Sequence, residues 1–247
     1  MPNFRRVLLT AMAAPLALAL AACGSGEEAA VNGEPIDPIE APAGQSWAET
    51  AAVTPEGGYV VGNPDAPIKL VEYASHTCPA CAVFSQESSA GLDEYVATGV
   101  VSYEIRNQIH NPLDLTLAMM MRCGEPTAFH PRAKDAWVNL NAIIDGAQQD
   151  QAAMAAAFQA PEAERFQRIA EVSGLLDFFA ARGVSRDQAM QCLADTEQAR
   201  QIAQNSTTQS DELGVTGTPT FFLNGRRLDG ASWSDVEAAL QAAGAQR

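Results

Sequence analysis

The sequence predicts an α/β domain with a helical insertion, and three observations support this prediction. An apolar segment at 68–74 is followed by a helical pattern and then by a second apolar segment at 100–107, which is the order strand, helix, strand. From Pro112 to about Leu213 the spacing of apolar residues is helical, and a further strand and helix come only after this block. We therefore expect a sheet built from both ends of the domain, with a helical subdomain over 111–213 inserted between residues 47–110 and 214–247.

The composition indicates a globular protein with an acidic surface. Of the 247 residues, 47% are hydrophobic and 18% are charged, and the formal net charge is −15. This apolar content suffices for one buried core. The charge argues against nucleic acid as a partner, because phosphate binding needs clustered lysine and arginine.

The first residues form a targeting segment. A basic start, MPNFRR, precedes an apolar run that is short for a membrane-spanning helix. The run ends in Leu-Ala-Ala-Cys at Leu20–Cys23. This pattern resembles a bacterial lipoprotein signal, which implies a signal peptide over 1–22 and lipidation of Cys23; the alternative is an ordinary secretory signal. The acidic, Pro- and Gly-rich residues 23–46 are expected to form a flexible tether, with the domain starting near Trp47.

The strand at 68–74 is apolar on both faces, as expected of a central strand covered on two sides, and Glu72 interrupts it. It runs into HTCPAC, after which a helix extends to Gly99 and VVSYEIRN forms the next strand. This order places Cys78 and Cys81 at the N-terminus of the helix.

Two helices of the insertion each carry a further cysteine. Pro112 suits a first helical position ahead of Cys123, and Ser185 has the spacing of a helix cap ahead of Cys192. After the insertion, TPTFFLNG and GRRLDG form a strand and a short hairpin partner, and Ser234-x-x-Glu237 is expected to cap the last helix.

Three consecutive methionines, Met119, Met120 and Met121, could be interpreted as copper ligands. Consecutive helical residues point in different directions, so core packing is favoured.

The five cysteines of an exported chain indicate two disulfides, since export leads to an oxidising compartment. If Cys23 carries lipid, four cysteines remain, and the closely spaced Cys78 and Cys81 form the obvious first pair. Cys123 would then bond Cys192 as a structural disulfide. That bond would close a loop of about seventy residues, worth roughly 4 kcal/mol in the chain-entropy model.

The CPAC segment allows three interpretations: a redox pair, half of a zinc site or a structural crosslink. Zinc needs two further ligands, whereas the other cysteines are isolated and the chain has 3 histidines. A structural disulfide across two residues gives little entropic benefit. A helix N-terminus stabilises a thiolate, so the redox pair is favoured, with Cys78 as the exposed nucleophile and Cys81 as the buried resolving thiol.

With these residues identified, the chain resembles the thioredoxin superfamily and, within it, the DsbA-like branch. CPAC follows a central strand, and TGTPT at 216–220 precedes the last strands, as the cis-proline loop of that family does. Glu72 lies six residues before Cys78, where the family keeps a buried acid, and a helical insertion separates the two halves. The resemblance implies a thioredoxin fold, with Pro219 as the cis-proline and Thr218 as the residue before it.

The resemblance also implies roles for these residues. The Thr218–Pro219 bond would face Cys78 and offer backbone groups to an extended substrate. Glu72 would have a raised pKa and exchange a proton with Cys81.

Glu72 and His76 each allow a second interpretation. Glu72 is equally well read as a structural carboxylate satisfied by Arg106 or Lys69. His76 could bind the thiolate of Cys78, but a solvated loop histidine is the favoured interpretation.

The chain departs from the strongly oxidising DsbA pattern in two places. Pro79-Ala80 stands where that pattern has Pro-His, which removes one stabiliser of the thiolate and lowers the expected oxidising power. Thr218 also occurs before the proline in isomerase-like members, so the direction of electron flow stays open.

The sequence therefore predicts a lipid-anchored thiol:disulfide oxidoreductase of the bacterial periplasm that needs no cofactor and no metal. Its expected partners are exported proteins with cysteines, a membrane redox partner that resets the pair, and the membrane itself through Cys23. A dithiol oxidase is favoured because no dimerisation segment is visible. The alternatives are a reductase or isomerase of the same fold, and a non-catalytic, metallochaperone-like lipoprotein.

Overall fold

The computed structural model describes residues 33–247, so the predicted signal peptide and Cys23 lie outside the described residues. The strands are β1 (Ala51–Val53), β2 (Tyr59–Gly62), β3 (Ile68–Ala74), β4 (Val101–Asn107), β5 (Thr220–Leu223) and β6 (Arg226–Arg227). They form one mixed sheet in the order β1-β2-β4-β3-β5-β6. The two ends of the domain thus meet in one sheet.

The centre of the sheet is the predicted strand–helix–strand unit. β3 and β4 run parallel, in a register that pairs Ile68 with Val101 and Ala74 with Asn107. Helix α1 (Pro79–Ala97) connects them. Because α1 begins shortly after β3 ends, the cysteine pair lies at the carboxyl end of a central strand.

The helices after β4 form the predicted insertion, and the α/β class with a helical insertion is confirmed. In chain order they are α2 (Pro112–Met121), α3 (Phe129–Val138), α4 (Leu140–Gln148), α5 (Gln151–Phe158), α6 (Glu162–Val172), α7 (Leu175–Ala180), α8 (Arg186–Leu193) and α9 (Thr196–Leu213); α10 (Trp233–Ala242) follows the last strand. Short 3-10 helices occupy Trp47–Glu49 and Pro126–Ala128.

Side-chain caps fix the starts of several helices. Ser185 caps α8, as its sequence spacing predicts. The last helix begins two residues earlier than predicted: Ser232 and Asp235 form a reciprocal capping box, whereas Ser234 and Glu237 were expected to do so. Both serines have a carboxylate three residues on, so the sequence spacing fits either of them.

One hydrophobic core extends from the sheet into the insertion. α1 and α10 pack on the same face, where the ring centroids of Phe84 and Phe221 are 4.4 Å apart. On α2, Met119, Met120 and Met121 are each 0% exposed. Since three consecutive helical positions face different directions, α2 is enclosed on all sides, and the predicted core packing of the methionines is confirmed.

Residues 33–46, which belong to the predicted tether, are hydrogen-bonded to the domain. Gly33 and Ile36 donate backbone hydrogen bonds to Ala242 and Gly244, at 2.7 and 2.9 Å. Further along, the Ile39 amide donates to the Thr98 carbonyl at 2.8 Å. Hydrogen bonds to the end of α10 and of α1 therefore attach this segment to the domain, which starts well before Trp47.

The antiparallel edge formed by β1 and β2 was not predicted. These strands have only three and four residues, and β2 pairs antiparallel with β4. So short a run gives little alternation to detect. Within residues 33–247, none of the helices is long and apolar enough to cross a membrane.

Candidate active site

The CPAC cysteines lie at the first turn of α1. Cys78 is the N-cap residue, and Pro79 takes the first helical position, where its missing N–H costs nothing. Pro79 and Ala80 are exposed, whereas Cys78 is 8% and Cys81 is 0% exposed. Cys78 is thus more enclosed than predicted.

The surroundings of the two thiols separate their pKa values. A hydrogen bond from the Cys81 thiol, aided by the Thr218 side chain and by backbone N–H groups at the helix start, lowers the pKa of Cys78 to about 5 against the effect of burial. Burial raises the pKa of Cys81 far above its ordinary value, and its neighbours Cys78 and Glu72 add to this. At neutral pH, Cys78 is therefore a thiolate and Cys81 a thiol. Neither is in a disulfide in this structure.

The loop between α9 and β5 faces the cysteine pair. Its Thr218–Pro219 peptide bond is cis. The carbonyl oxygen of Thr218 lies 3.3 Å from the sulfur of Cys78. Because β5 pairs with β3, the fold brings Pro219 to residues that are distant in sequence.

Glu72 is fully buried in β3 and bonded to a tyrosine. The hydroxyl of Tyr103 donates to its Oε2, while its Oε1 has no hydrogen-bond partner among the described residues. Burial raises the pKa of Glu72 to about 8; the Tyr103 hydrogen bond opposes this rise and the charge on Cys78 adds to it. Arg106 pairs with other carboxylates, and Lys69 is exposed, so neither of the partners considered from the sequence satisfies Glu72.

The prediction that His76 is a solvated loop residue is wrong. Its side chain is 0% exposed because Phe129 and Trp137 of α3 pack against the ring, at centroid distances of 6.0 and 5.2 Å. Its Nε2 lies 3.1 Å from the side-chain nitrogen of Asn107. Burial lowers the pKa of His76 to about 3, so the ring is neutral and supports the loop ahead of Cys78.

Asp114 holds the loop before the cysteines and was missed in the sequence. Its carboxylate accepts backbone N–H bonds from His76 at 2.8 Å and from His110 at 2.9 Å. The ring of His110 in turn lies 3.5 Å from the Thr218 hydroxyl. Burial raises the pKa of Asp114 to about 6, although these hydrogen bonds oppose the rise. An acid three residues after Asn111 looks from sequence like an exposed first-turn residue, so only the fold reveals this role.

A disulfide joins Cys123 to Cys192, with an S–S distance of 2.02 Å and a Cα–Cα distance of 5.8 Å. It links the end of α2 to α8. The start of α2 contacts the active-site loop through Asp114, and its ten residues span about 15 Å. The second disulfide therefore lies at the far end of that helix from the CPAC loop.

The structure thus gathers five of the predicted site residues, which are Cys78, Cys81, Thr218, Pro219 and Glu72. Within residues 33–247, no three His, Cys, Asp or Glu side chains come close enough together to hold a metal ion.

Comparisons with known proteins agree with this geometry. A family model described as Thioredoxin matches residues 54–242. A protein of Rickettsia bellii named putative protein-disulfide oxidoreductase is 27% identical over 190 residues, which cover 76% of this chain and 65% of that protein. The match to a Rickettsia typhi protein of similar name covers 61% of its length, so the chain spans less than two thirds of these curated relatives.

Solved structures of two bacterial proteins have the same fold. The crystal structure of a protein-disulfide isomerase from Novosphingobium aromaticivorans has a TM-score of 0.71 and 31% identity, covering 75% of this chain and 96% of that one. The structure of α-DsbA1 from Wolbachia pipientis, at 20% identity, has a TM-score of 0.58 and covers 75% and 90% of the two chains. The predicted thioredoxin fold is confirmed, and this fold is shared with the DsbA1 structure.

Proposed function

This chain belongs to the thioredoxin family, and we propose that it is a thiol:disulfide oxidoreductase that uses Cys78 and Cys81 to exchange disulfides with other proteins. The observation that carries the proposal is the separation of the two thiol pKa values at the start of α1. Exchange requires a nucleophilic thiolate and a second thiol that stays protonated until it is needed. Both are present side by side.

The reaction follows from the exposure and charge of the two sulfurs. When the pair is oxidised, a substrate thiolate attacks Cys78, the less buried sulfur, and Cys81 leaves as a thiolate that takes up one proton. A second substrate thiolate then attacks the substrate sulfur of the mixed disulfide and expels Cys78. Because its pKa is about 5, Cys78 leaves as a stable thiolate at neutral pH.

Substrate would be held beside the cis-proline loop. The backbone of Thr218 lies 3.3 Å from Cys78, so an extended peptide bound there would bring its own cysteine to that sulfur. The dipeptide between the two cysteines, Pro79-Ala80, is exposed, so a bound polypeptide could contact it beside Cys78.

The favoured direction is dithiol oxidation. A stabilised Cys78 thiolate stabilises the reduced pair, and a pair that prefers to be reduced gives its disulfide away. Isomerase or reductase activity is the second candidate, favoured by the name of the Novosphingobium protein, at 31% identity. The missing histidine between the cysteines also points to a milder oxidant.

We place this activity in the bacterial periplasm, on a lipid anchor at Cys23, as the sequence before the domain suggests. The substrates would be exported proteins that contain cysteines. A membrane redox partner would reoxidise Cys78 and Cys81 after each cycle, because each disulfide given to a substrate leaves the pair reduced.

The reduction potential of the Cys78–Cys81 pair tests the proposal. Detergent-solubilised protein would be equilibrated with glutathione buffers of graded composition, and the free thiols counted after acid quench. A potential above about −180 mV supports the oxidase, and one near about −270 mV supports the reductase or isomerase. Absence of any exchange in the wild type would refute both.

Cysteine variants provide the matched controls. Cys78→Ser is expected to abolish exchange, while replacing both Cys123 and Cys192 by alanine should leave it in place, because that disulfide is at the far end of α2. Retention of a metal by the wild type but not by Cys78→Ser, with no exchange in either, would instead favour the metallochaperone alternative.

A further inference from the structure

The exchange reaction requires Cys81 to gain or lose a proton in a place that solvent does not reach. Cys81 and Glu72 are both 0% exposed. Among the described residues, the Glu72 carboxyl group has one hydrogen-bond partner, the hydroxyl of Tyr103. A proton that reaches Glu72 from bulk water must therefore enter either beside Cys78, at the active-site mouth, or through the hydroxyl of Tyr103.

Tyr103 leads away from the CPAC segment and the cis-proline loop, because no residue of either lines the two cavities that Tyr103 borders. It lines a small cavity of about 10 Å³ together with Ser85, Ser88 and His130. That is about the volume one water molecule needs, and hydroxyl and imidazole groups supply the polar partners that a buried water requires.

A larger cleft continues the route outwards. It has a volume of about 460 Å³ and shares Tyr103, His130 and Lys134 with the small cavity. Asp93, which also lines the cleft, has a side chain that is 60% exposed, so the cleft opens to solvent. Glu72, Tyr103, the small cavity and the cleft thus form a series from Glu72 to the surface. Cys81 lies near enough to Glu72 for the carboxylate charge to raise the pKa of its thiol.

We propose that Tyr103 and a water molecule in the small cavity relay protons between Glu72 and solvent each time Cys81 changes its protonation state. This inference rests on the proposed thiol–disulfide exchange and adds to it a proton route that avoids the substrate-binding face. Tyr103 acts through Glu72 and does not touch the reacting sulfurs.

The relay balances in both directions. When Cys81 leaves as a thiolate, Glu72 gives it the proton on Oε1 and the Tyr103 hydroxyl proton moves to Oε2. The water then gives a proton to the tyrosine oxygen and takes one from the solvent of the cleft, and the hydrogen bond between Oε2 and the tyrosine oxygen has reversed its direction. When the dithiol is reoxidised, the Cys81 proton moves to Oε1, the proton on Oε2 returns to the tyrosine oxygen, and the tyrosine gives one to water. Each half-reaction moves one proton and restores what the other changed.

The acidities of the groups along the route suit this task. Burial raises the pKa of Glu72 to about 8, so at neutral pH its carboxyl group has a proton to give. Burial raises the pKa of Tyr103 well above 10, so it passes a proton on without ionising. Burial lowers the pKa of His130 to about 4, leaving it neutral, and Lys134 is paired with Asp93 at 2.5 Å.

The test compares Tyr103→Phe with Tyr95→Phe. Tyr95 is 1% exposed, and its hydroxyl accepts a hydrogen bond from Gln241 at 3.1 Å, so this control also loses a buried hydroxyl contact without touching Glu72. The full-length reduced protein is mixed with oxidised glutathione, quenched with acid at intervals and weighed by mass spectrometry. This separates attack by Cys78 from resolution by Cys81, which must lose its proton.

Tyr103→Phe should leave the first step unchanged and slow the second by at least about tenfold, since positioned proton transfer contributes roughly a hundredfold or more. Tyr95→Phe should match the wild type in both steps. In a Glu72→Gln background, Tyr103→Phe should cause no further slowing, because the relay acts through the carboxyl group. The wild-type second step should also be slower in deuterium oxide, and this slowing should change with Tyr103→Phe.

Equal second-step rates in Tyr103→Phe and the wild type would overturn the relay, and protons would then enter at the active-site mouth. No exchange in the wild type would overturn the proposed function itself, so the two failures are distinguishable. If Tyr103→Phe does not fold, Ser88→Thr decides: its added methyl group at the wall of the small cavity should displace the water and slow the second step alone, and a wild-type rate would refute the relay.

Discussion

The depressed pKa of Cys78 makes a prediction that is strongest in acid, where ordinary thiols do not react. The exchange rate of a thiol depends on its thiolate fraction and on the nucleophilicity of that thiolate, which falls as the pKa falls, with a Brønsted coefficient of about 0.4–0.5. For Cys78, with a pKa of about 5, the comparison is with an ordinary cysteine of pKa about 8.5.

These two effects nearly cancel at neutral pH and separate below it. At about pH 7 the gain in thiolate, roughly thirtyfold, is offset by a similar loss of nucleophilicity, so the two cysteines react at similar rates. At about pH 5.5 most of Cys78 is still a thiolate while roughly one in a thousand ordinary thiols is, and Cys78 should react about 20-fold faster.

The assay follows the reaction of reduced protein with a neutral small disulfide, bis-hydroxyethyl disulfide, from pH 4 to 9. A peptide with one cysteine is the reference. The Cys78 rate should level off above about pH 6, and in Cys81→Ala the inflection should move upwards, because the Cys81 hydrogen bond is the main cause of the low pKa. A rate that continues to rise between about pH 7 and 8.5, as for an ordinary thiol, would refute the reasoning.

Three further outcomes are expected. Replacing Cys123 and Cys192 by alanine should lower the free energy of unfolding by about 4 kcal/mol, given the separation of 69 residues, and a urea titration that shows no loss would mean that the unfolded chain is already constrained. For Glu72, the pKa raised to about 8 contributes stability that is lost as pH rises from about 4.5 to 8, so the stability of Glu72→Gln, measured by urea titration, should rise relative to wild type across this range, and a constant difference would contradict the raised pKa. Asp114→Asn keeps the size of the side chain but loses one of the carboxylate oxygens that accept backbone N–H bonds. Hydrogen exchange of the His76 backbone amide should therefore speed up by about tenfold. Unchanged exchange would show that the loop is held by its other contacts.

The central unit of the fold could be predicted because its signals are local. Residues 68–74 are apolar apart from Lys69 and Glu72, and helix α1 starts at a Pro-containing CPAC segment and ends before Gly99, whose φ is +73°. Each of these signals depends on neighbours within a few residues, which sequence reading captures well.

The parts that were missed depend on distant residues. The burial of His76 comes from two aromatic rings of α3, and the hydrogen-bond partners of residues 33–46 lie at the ends of α1 and α10, far away in the sequence. The partner of Glu72 depends on strand register: Glu72 pairs with Ile105, and Tyr103 lies two residues earlier on the same face of β4. No local pattern in the sequence distinguishes Tyr103 from Arg106 as that partner.

The enclosure of the three consecutive methionines has a consequence for oxidative damage. Methionine sulfoxide is polar, so its formation at Met119, Met120 or Met121 would be incompatible with the packed core around α2. Since each of these side chains is 0% exposed, peroxide can reach them only when the helix detaches from its surroundings. Their sulfurs are therefore built-in reporters of transient opening: the rate at which they gain oxygen measures how often the helical subdomain comes apart.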